Sequence, residues 1–309
     1  MSRRNNANYN GRLTSYAAGL AQNPAKDGLA DFIAPRVGTG TSSGQFKRYS
    51  GKNSMQVYDT ARALGGNATR IKFESDDPYY NCKPNALEAA VDDAERDSAG
   101  DVEGAQQALE ESKVGTLVSG AKLSREVKVQ ELIDGLTPVA AVGVWSNPAV
   151  DPIKQIDDEI SAITTRTGIM PNRIAIGLAA WIVIRHHPKV LARQPGAANQ
   201  GVNYAQFAGM LANPNIEVRV GILSRDQAKF GKDKDAVNIL GAKVLIFIGS
   251  DSPTIYDPSF AKTFATKRTS IDQVINYREQ SARSDIYAVD WSEDIQEVFE
   301  EAASLIAVS

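Results

Sequence analysis

The sequence predicts a mixed α+β protein built around one very long helix. A segment from about Val102 to Asp134 carries apolar residues at helical spacing and stops at Gly135. Unbroken, it would span roughly 50 Å, several times the length of an average helix. Between residues 137 and 250 helical and strand-like segments alternate, and strand-like sequence returns near residues 284–291. These observations predict a spine helix attached to a compact α/β region that is completed by C-terminal strands.

Composition limits the function classes that fit the chain. Its 309 residues can bury a sizeable core. The formal net charge of −3 argues against a dedicated nucleic-acid binder, although it does not exclude a container for nucleic acid. The lone cysteine, Cys82, allows no disulfide within the chain and favours a reducing compartment. No secretory signal or apolar stretch long enough to span a membrane is recognisable, so we expect cytoplasmic synthesis.

The first half of the chain divides into three parts. Residues 1–45 are polar and glycine-rich, so we expect an N-terminal arm that contributes little to its own core. That arm is either a disordered tail or a segment that becomes ordered against another subunit. Residues 46–83 alternate weakly around a turn at Gly65–Gly66–Asn67, which predicts a long projecting β-hairpin. Residues 84–136 are predicted to hold a helix over 84–97, started by Pro84, followed by the spine helix.

The second half of the chain contains the strongest periodic signals. Ile153, Ile156, Ile160 and Ile163 share one face of a helix predicted over 151–167. A helix over 178–186 is expected to stop before a proline. Four strands are predicted within the α/β domain, residues 137–270: 139–145, 171–177, 218–222 and 243–248. A fifth strand, 284–291, is predicted within the C-terminal part, residues 271–309.

This order of elements resembles the HK97-type capsid fold of tailed-bacteriophage major capsid proteins. The apolar patch Leu29–Val37 is similar to the "I-A-D-x-I-A-P-x-V" patch of that family. The run from Asp151 to Pro188 resembles its helix–strand–helix signature, and residues 285–291 resemble its closing strand. The resemblance covers nearly the whole chain. It implies an N-terminal arm, an extended hairpin, a spine helix, and peripheral and axial domains, with 137–270 mainly axial.

The resemblance also implies a function and a set of partners. Copies of the chain would form pentamers and hexamers of an icosahedral shell that encloses double-stranded DNA without reading its sequence. The arm and the hairpin would reach onto neighbouring subunits. Portal, scaffold or decoration proteins are further expected partners. The shell would assemble in the host bacterial cytoplasm and end as part of the virion, with no membrane involved.

The charge pattern suggests where subunits touch. Residues 1–52 have a net charge of +6, and residues 74–111 have a net charge of −10. Opposite blocks can set the register between copies, although solvated charged faces would look the same. The candidate intersubunit contacts are Arg3, Arg4, Arg12, Arg36, Lys47, Arg48, Asp92, Asp93, Glu103 and Glu110.

No catalytic residue, cofactor site or metal site is expected from the motifs present. His186 and His187 are adjacent and do not share a helix face, so a position at a helix C-terminus fits them better than metal binding. The glycines between Gly38 and Gly44 lack the lysine of a phosphate-binding loop. Two alternatives remain open: an encapsulin-type shell that encloses enzymes, and a soluble α/β enzyme with a pocket around Trp181. Particle size separates a shell protein from an enzyme.

Overall fold

The computed structural model describes most of the chain. It covers residues 8–21, 28–50, 55–62, 64–70, 76–100, 104–139, 143–193, 201–229, 231–266 and 273–308. The α-helices in the described residues are α1 Gly11–Ala21, α2 Ala30–Ile33, α3 Asp93–Ala99, α4 Ala105–Asp134, α5 Pro152–Thr167, α6 Leu178–His186, α7 Pro188–Ala192 and α8 Tyr204–Ala208. Within that part of the chain, no helix combines the length and the apolar character needed to cross a membrane.

The strands form two larger sheets and two small ones. In chain order they are β1 Asn8–Tyr9, β2 Arg36–Thr39, β3 Ser43–Gln45, β4 Tyr79–Asn81, β5 Lys83–Asp92, β6 Arg173–Gly177, β7 Glu217–Gly221, β8 Ser224–Asp226, β9 Ala236–Asn238, β10 Lys243–Phe247, β11 Ala261–Thr266, β12 Val274–Glu279, β13 Ser284–Glu297 and β14 Ala303–Ala307. The six-stranded sheet runs β1-β12-β13-β11-β2, with β5 also paired to β13. The four-stranded sheet runs β14-β10-β6-β7. The pairs β3-β4 and β8-β9 stand alone.

Strand β13 organises the six-stranded sheet. Over its first part it pairs antiparallel with β12 on one side and with β5 on the other. Its last five residues, from Glu293 to Glu297, pair with β11. Three separate parts of the chain are therefore held by one 14-residue strand.

The four-stranded sheet forms the larger core together with α5 and α6. All five residues of β6 are buried, as expected for a strand covered on both faces. The isoleucines of α5 face this sheet, and Asp151 caps the helix by accepting from the Lys154 backbone N–H at 3.3 Å. Helix α6 ends at His186 before Pro188. The predicted helices over 151–167 and 178–186 and the strands near 173, 218 and 243 are confirmed.

The spine helix α4 connects the larger core with a smaller core on the six-stranded sheet. Its first half packs Val114, Leu117 and Ala121 against α1 and the six-stranded sheet. Its second half buries Val129 and Ile133 in the larger core. The prediction of one long helix ending at Gly135 is confirmed, and the helix does not break within its 30 residues.

Two secondary-structure predictions for residues 84–145 are wrong. Residues 83–92 form strand β5 rather than the start of a helix, and helix α3 begins only at Asp93. Ten successive pairings with β13 outweigh the helix propensity of the alanines here. Within the expected strand 139–145, Val139 forms a single bridge to Ile306, residues 143–145 are not strand, and residues 140–142 lie outside the described part.

Candidate assembly surfaces

The segment between β3 and β4, residues 46–78, is here called the excursion. Its two ends meet at the six-stranded sheet, where the Phe46 N–H donates to the Pro78 carbonyl at 3.0 Å and the Arg48 N–H donates to the Asp76 carbonyl at 2.9 Å. The predicted hairpin base is therefore present. The expected strand over 55–58 is absent, residues 69–70 are not strand, and 71–74 lie outside the described residues. A turn forms at Leu64–Gly65, where the positive φ of 81° suits glycine.

Beyond its root, the described part of the excursion is exposed. Residues 55–62 and 64–70 contribute no buried side chain to the subunit. Val57 is 95% exposed, Leu64 is fully exposed, and Met55 is about half exposed. Burying such a side chain is worth about 1.5–3 kcal/mol. Three such side chains are thus exposed on one segment, and the described part of their own subunit does not cover them.

The N-terminal segment differs from the expected arm. Residues 1–7 and 22–27 lie outside the described part, but helix α1 packs Leu13 and Ala17 onto the spine helix with no exposed surface. The patch from Leu29 to Ala34 is buried in the larger core. Strand β2 then pairs parallel with β11. The expectation that this segment contributes little to its own subunit's core is therefore wrong for the described residues.

A buried carboxylate explains why the Leu29–Ala34 patch is held. Glu126 of the spine helix accepts the backbone N–H groups of Leu29 and Ala30, both at 2.8 Å. It therefore caps the short helix α2 from outside. Burial raises the pKa of Glu126, although the two backbone donors act in the opposite direction. The adjacent Arg125 pairs with Asp31 at 2.5 Å and donates to the Ala34 carbonyl at 3.4 Å.

These polar anchors were missed in the sequence. Arg125 and Glu126 are buried although they are charged, and they lie on the spine helix within the stripe that also contains Ala121 and Val129. Buried Glu293 of β13 lies 3.6 Å from Arg125. Charged residues at stripe positions are the signal that could have revealed the cluster, because buried charges are almost always paired.

The opposite charge blocks meet within one subunit. Arg12 of α1 pairs with Glu110 at 2.6 Å and with Glu111 at 2.8 Å. Arg96 joins the same group through Glu110 at 3.3 Å and Asp285 at 2.8 Å. Two residues predicted to touch a neighbour, Arg12 and Glu110, thus pair with each other. Any contact that they make between copies stays a prediction.

The acidic pair Asp92–Asp93 also has partners in its own subunit. Asp92 caps α3 by accepting the Ala94 N–H at 2.8 Å. Asp93 receives two hydrogen bonds from Arg278, at 2.7 and 2.6 Å, and these lower the pKa of Asp93. Both side chains therefore stabilise the turn between β5 and α3.

The other predicted contact residues fall into three groups. Arg36 lies on β2, with its guanidinium 3.7 Å from Glu293. Lys47 and Arg48 are exposed at the root of the excursion. Arg3, Arg4 and Glu103 lie outside the described residues. Lys47 and Arg48 are thus the predicted residues that are displayed on the excursion itself.

The histidines and the cysteine have structural environments. His187 is buried; its Nδ1 accepts the Lys189 N–H at 3.2 Å, and its Nε2 lies 3.2 Å from the Asn147 carbonyl. It thus ends α6 and caps α7, while His186 is exposed in the last turn of α6. Cys82 is buried, burial raises the pKa of its thiol, and its Sγ donates to the Phe264 carbonyl at 3.3 Å.

Aromatic rings pack around Trp181, and the described residues hold no cluster of metal-ligating side chains. The Trp181 ring, around which a pocket was considered, packs against Tyr204 at 4.7 Å and Phe207 at 5.6 Å between ring centroids. No group of three or more metal-ligating side chains occurs among the residues with assigned positions.

Comparisons with known proteins agree with this picture. No protein-family model matches the chain. The chain is 24% identical over 266 residues to the major capsid protein of Burkholderia phage BcepMu, covering 82% of each sequence. It is 23% identical over 176 residues to the major capsid protein of Pseudomonas phage JBD67, covering 54% of each.

Solved structures show the same fold. A phage-related protein from Bordetella bronchiseptica aligns with a TM-score of 0.75 at 22% identity, covering 97% of both chains. The putative capsid protein of a prophage of E. coli CFT073 aligns with a TM-score of 0.55 at 10% identity, covering 98% of this chain and 99% of the other. The chain therefore has the fold of phage capsid proteins and resembles phage major capsid proteins in sequence.

Proposed function

We propose that the chain is the major capsid protein of a tailed phage. In this proposal it is a structural subunit without catalytic activity, and copies of it associate into pentamers and hexamers of an icosahedral shell around double-stranded DNA. The observation that carries the proposal is the excursion, because it exposes Val57 and Leu64 on a segment that its own subunit does not cover. Contact with a second copy would bury these side chains.

Charge supports contact between copies. Residues 47–72 of the excursion have a net charge of +5, and residues 88–111 have a net charge of −8. Several of those acids are already paired within the subunit. We therefore expect exposed Lys47 and Arg48 to act mainly by orienting subunits, and apolar contact to supply most of the affinity. Arg3, Arg4 and Glu103 remain proposed contacts of the same kind.

A closed shell needs only modest affinity at each contact. Each subunit repeats the same few interfaces, and closure multiplies their effect. The further parts of the proposal are portal and scaffold or decoration partners, assembly in the host bacterial cytoplasm and a final location in the virion. They rest on the likeness to phage capsid proteins.

The test is direct. The full-length chain, alone and with its native partners, is purified and examined by light scattering and negative-stain electron microscopy. We expect closed shells, tubes or ring-shaped capsomers. A strictly monomeric species under every condition contradicts the proposal.

An encapsulin-type shell is the second candidate. The fold is also similar to the encapsulin SrpI from Synechococcus elongatus PCC 7942, with a TM-score of 0.52 at 11% identity, covering 91% of this chain and 86% of the other. Particles that copurify with a specific enzyme bound to their inner wall would favour this candidate. Particles that fill with double-stranded DNA in the presence of a packaging system would favour the phage capsid.

A further inference from the structure

Lys262 is a fully buried charged residue in the six-stranded sheet. On β11 its side chain has 0% exposed surface. Its Nζ donates to the Asp257 carbonyl at 2.6 Å and to the Ile255 carbonyl at 3.4 Å, and it lies 3.1 Å from the Asp257 carboxylate. Burying an ammonium group is costly unless oxygen partners surround it. The lysine is therefore tied to the turn that contains those oxygens.

That turn, residues 254–257, is closed by Asp257. The carboxylate accepts the Thr254 N–H at 2.6 Å and the Thr254 hydroxyl at 3.2 Å. The Thr254 hydroxyl oxygen in turn accepts the Tyr256 N–H at 3.3 Å. Burial alone would raise the pKa of Asp257, but the Thr254 N–H and the Lys262 ammonium outweigh it and lower that pKa. Asp257 thus stays ionised and keeps the turn closed.

The same turn contacts the root of the excursion. The Tyr49 hydroxyl donates to the Tyr256 carbonyl, and the Tyr49 N–H donates to the Val298 carbonyl at 2.9 Å. Ile255 packs against the cluster that contains Phe46. Burial and the nearby Asp257 charge raise the pKa of Tyr49, so the phenol keeps the proton that it donates. Tyr49 is therefore hydrogen-bonded through its backbone N–H to the residue that follows β13 and through its hydroxyl to the turn.

The described tip of the excursion forms hydrogen bonds with itself. Among residues 55–70, the Thr69 hydroxyl donates to the Asp59 carbonyl at 3.1 Å and the Ala61 N–H donates to the Asp59 carboxylate at 3.0 Å. The chain from Tyr49 to Leu64 can reach at most about 50 Å. A rotation of about 5° at the root would therefore move the tip by up to about 4 Å.

We propose that Lys262, Asp257 and Tyr49 form a brace that fixes the direction in which the excursion leaves the subunit. Lys262 holds the turn, the turn holds Tyr49, and Tyr49 sets the angle of the root. The consequence for shell curvature rests on the proposed function. The brace itself is a property of the single subunit and can be tested there.

The experiment measures the distance from the excursion to the spine helix in the unassembled full-length chain. Spin labels are attached after Val57→Cys and Glu131→Cys, two exposed positions. The protein without introduced cysteines shows whether buried Cys82 takes up label. Electron–electron double resonance then gives the distance distribution for the starting protein, Lys262→Met and Tyr49→Phe.

Two matched variants serve as controls. Lys243→Met removes a lysine of the four-stranded sheet that pairs with Asp134 of the spine helix. Tyr277→Phe removes a hydroxyl of the six-stranded sheet that donates to Glu88 at 3.1 Å. We expect the distribution to become at least twofold broader, or to shift, in Lys262→Met and Tyr49→Phe and to stay unchanged in both controls. If Lys262→Met does not fold, Tyr49→Phe alone decides.

Unchanged distributions in the folded brace variants overturn the proposal, and so does equal broadening in the controls. A chain that never assembles, yet shows the expected broadening, contradicts the proposed capsid function and leaves the brace standing. With assembly established, the brace variants should give a wider spread of particle diameters than the controls.

Discussion

Two stretches in the first half of this chain end in opposite environments. Residues 28–39 are packed into the subunit, whereas the described part of the excursion beyond its root is exposed. Both contain a few large apolar residues. The first stretch also finds backbone partners, because Glu126 caps it and β11 pairs with β2. In the parts of the excursion that the structure describes, such partners occur at its root. Satisfied backbone groups, and not apolar content alone, therefore separate the packed stretch from the exposed one.

The largest expected effect comes from breaking the packed stretch. The Phe32 ring lies against Phe247 at 5.5 Å between centroids, with the guanidinium groups of Arg173 and Arg219 at 4.9 and 4.4 Å from its centroid. Phe32→Ala should lower the free energy of unfolding by about 3–5 kcal/mol. Denaturant unfolding of the unassembled subunit measures this. A loss below about 1 kcal/mol would mean that the patch is not part of the core.

The matching change in the excursion should leave the subunit stable. Val57→Ser combined with Leu64→Ser removes exposed apolar surface, so the free energy of unfolding should change by less than about 0.5 kcal/mol for each change. Assembly should weaken strongly, because the proposed contact surface is lost. Light scattering at increasing protein concentration measures the shift. Unaltered assembly would show that these side chains make no contact between copies.

The cap from Glu126 should make the stability of the subunit depend on pH. Because its folded pKa is raised, the folded state binds this proton more tightly than the unfolded chain does. The resulting stabilisation is complete below the unfolded pKa, about 4.3, and is lost as the pH rises through the folded pKa. The stability of the native protein relative to Glu126→Gln should therefore fall between pH 4 and pH 7. Parallel pH profiles of the two proteins, measured by thermal unfolding, would contradict this prediction.

The smallest effect concerns Arg12. Its ion pairs with Glu110 and Glu111 are partly exposed, so Arg12→Gln should cost less than about 1 kcal/mol of subunit stability. The loss should shrink in high salt, which screens the pairs in the native protein. Unfolding at two ionic strengths measures it. If assembly also weakens and becomes less sensitive to salt, Arg12 contributes between subunits as well.

The sequence was most informative where one periodicity dominates. The isoleucines of α5 and the stop before Pro188 predicted their helices closely, because local pattern and final packing agree there. Strand β5 was missed because alanine favours a helix over a strand, and because the partner strand β13 lies about 200 residues further along the chain. The packing of the Leu29–Ala34 patch was missed for the same reason. Its cap, Glu126, is 97 residues away from Leu29.

Strand β13 has a consequence for how the protein is made. Strands β5, β11 and β12 all pair with a segment that follows them in the chain and ends at Glu297. Until that segment has left the ribosome, the sheet that supports the first half of the spine helix and the root of the excursion cannot close. We expect nascent chains to lack a finished contact surface, since non-local pairing forms late. Synthesis itself would then delay association until β13 of each copy has emerged.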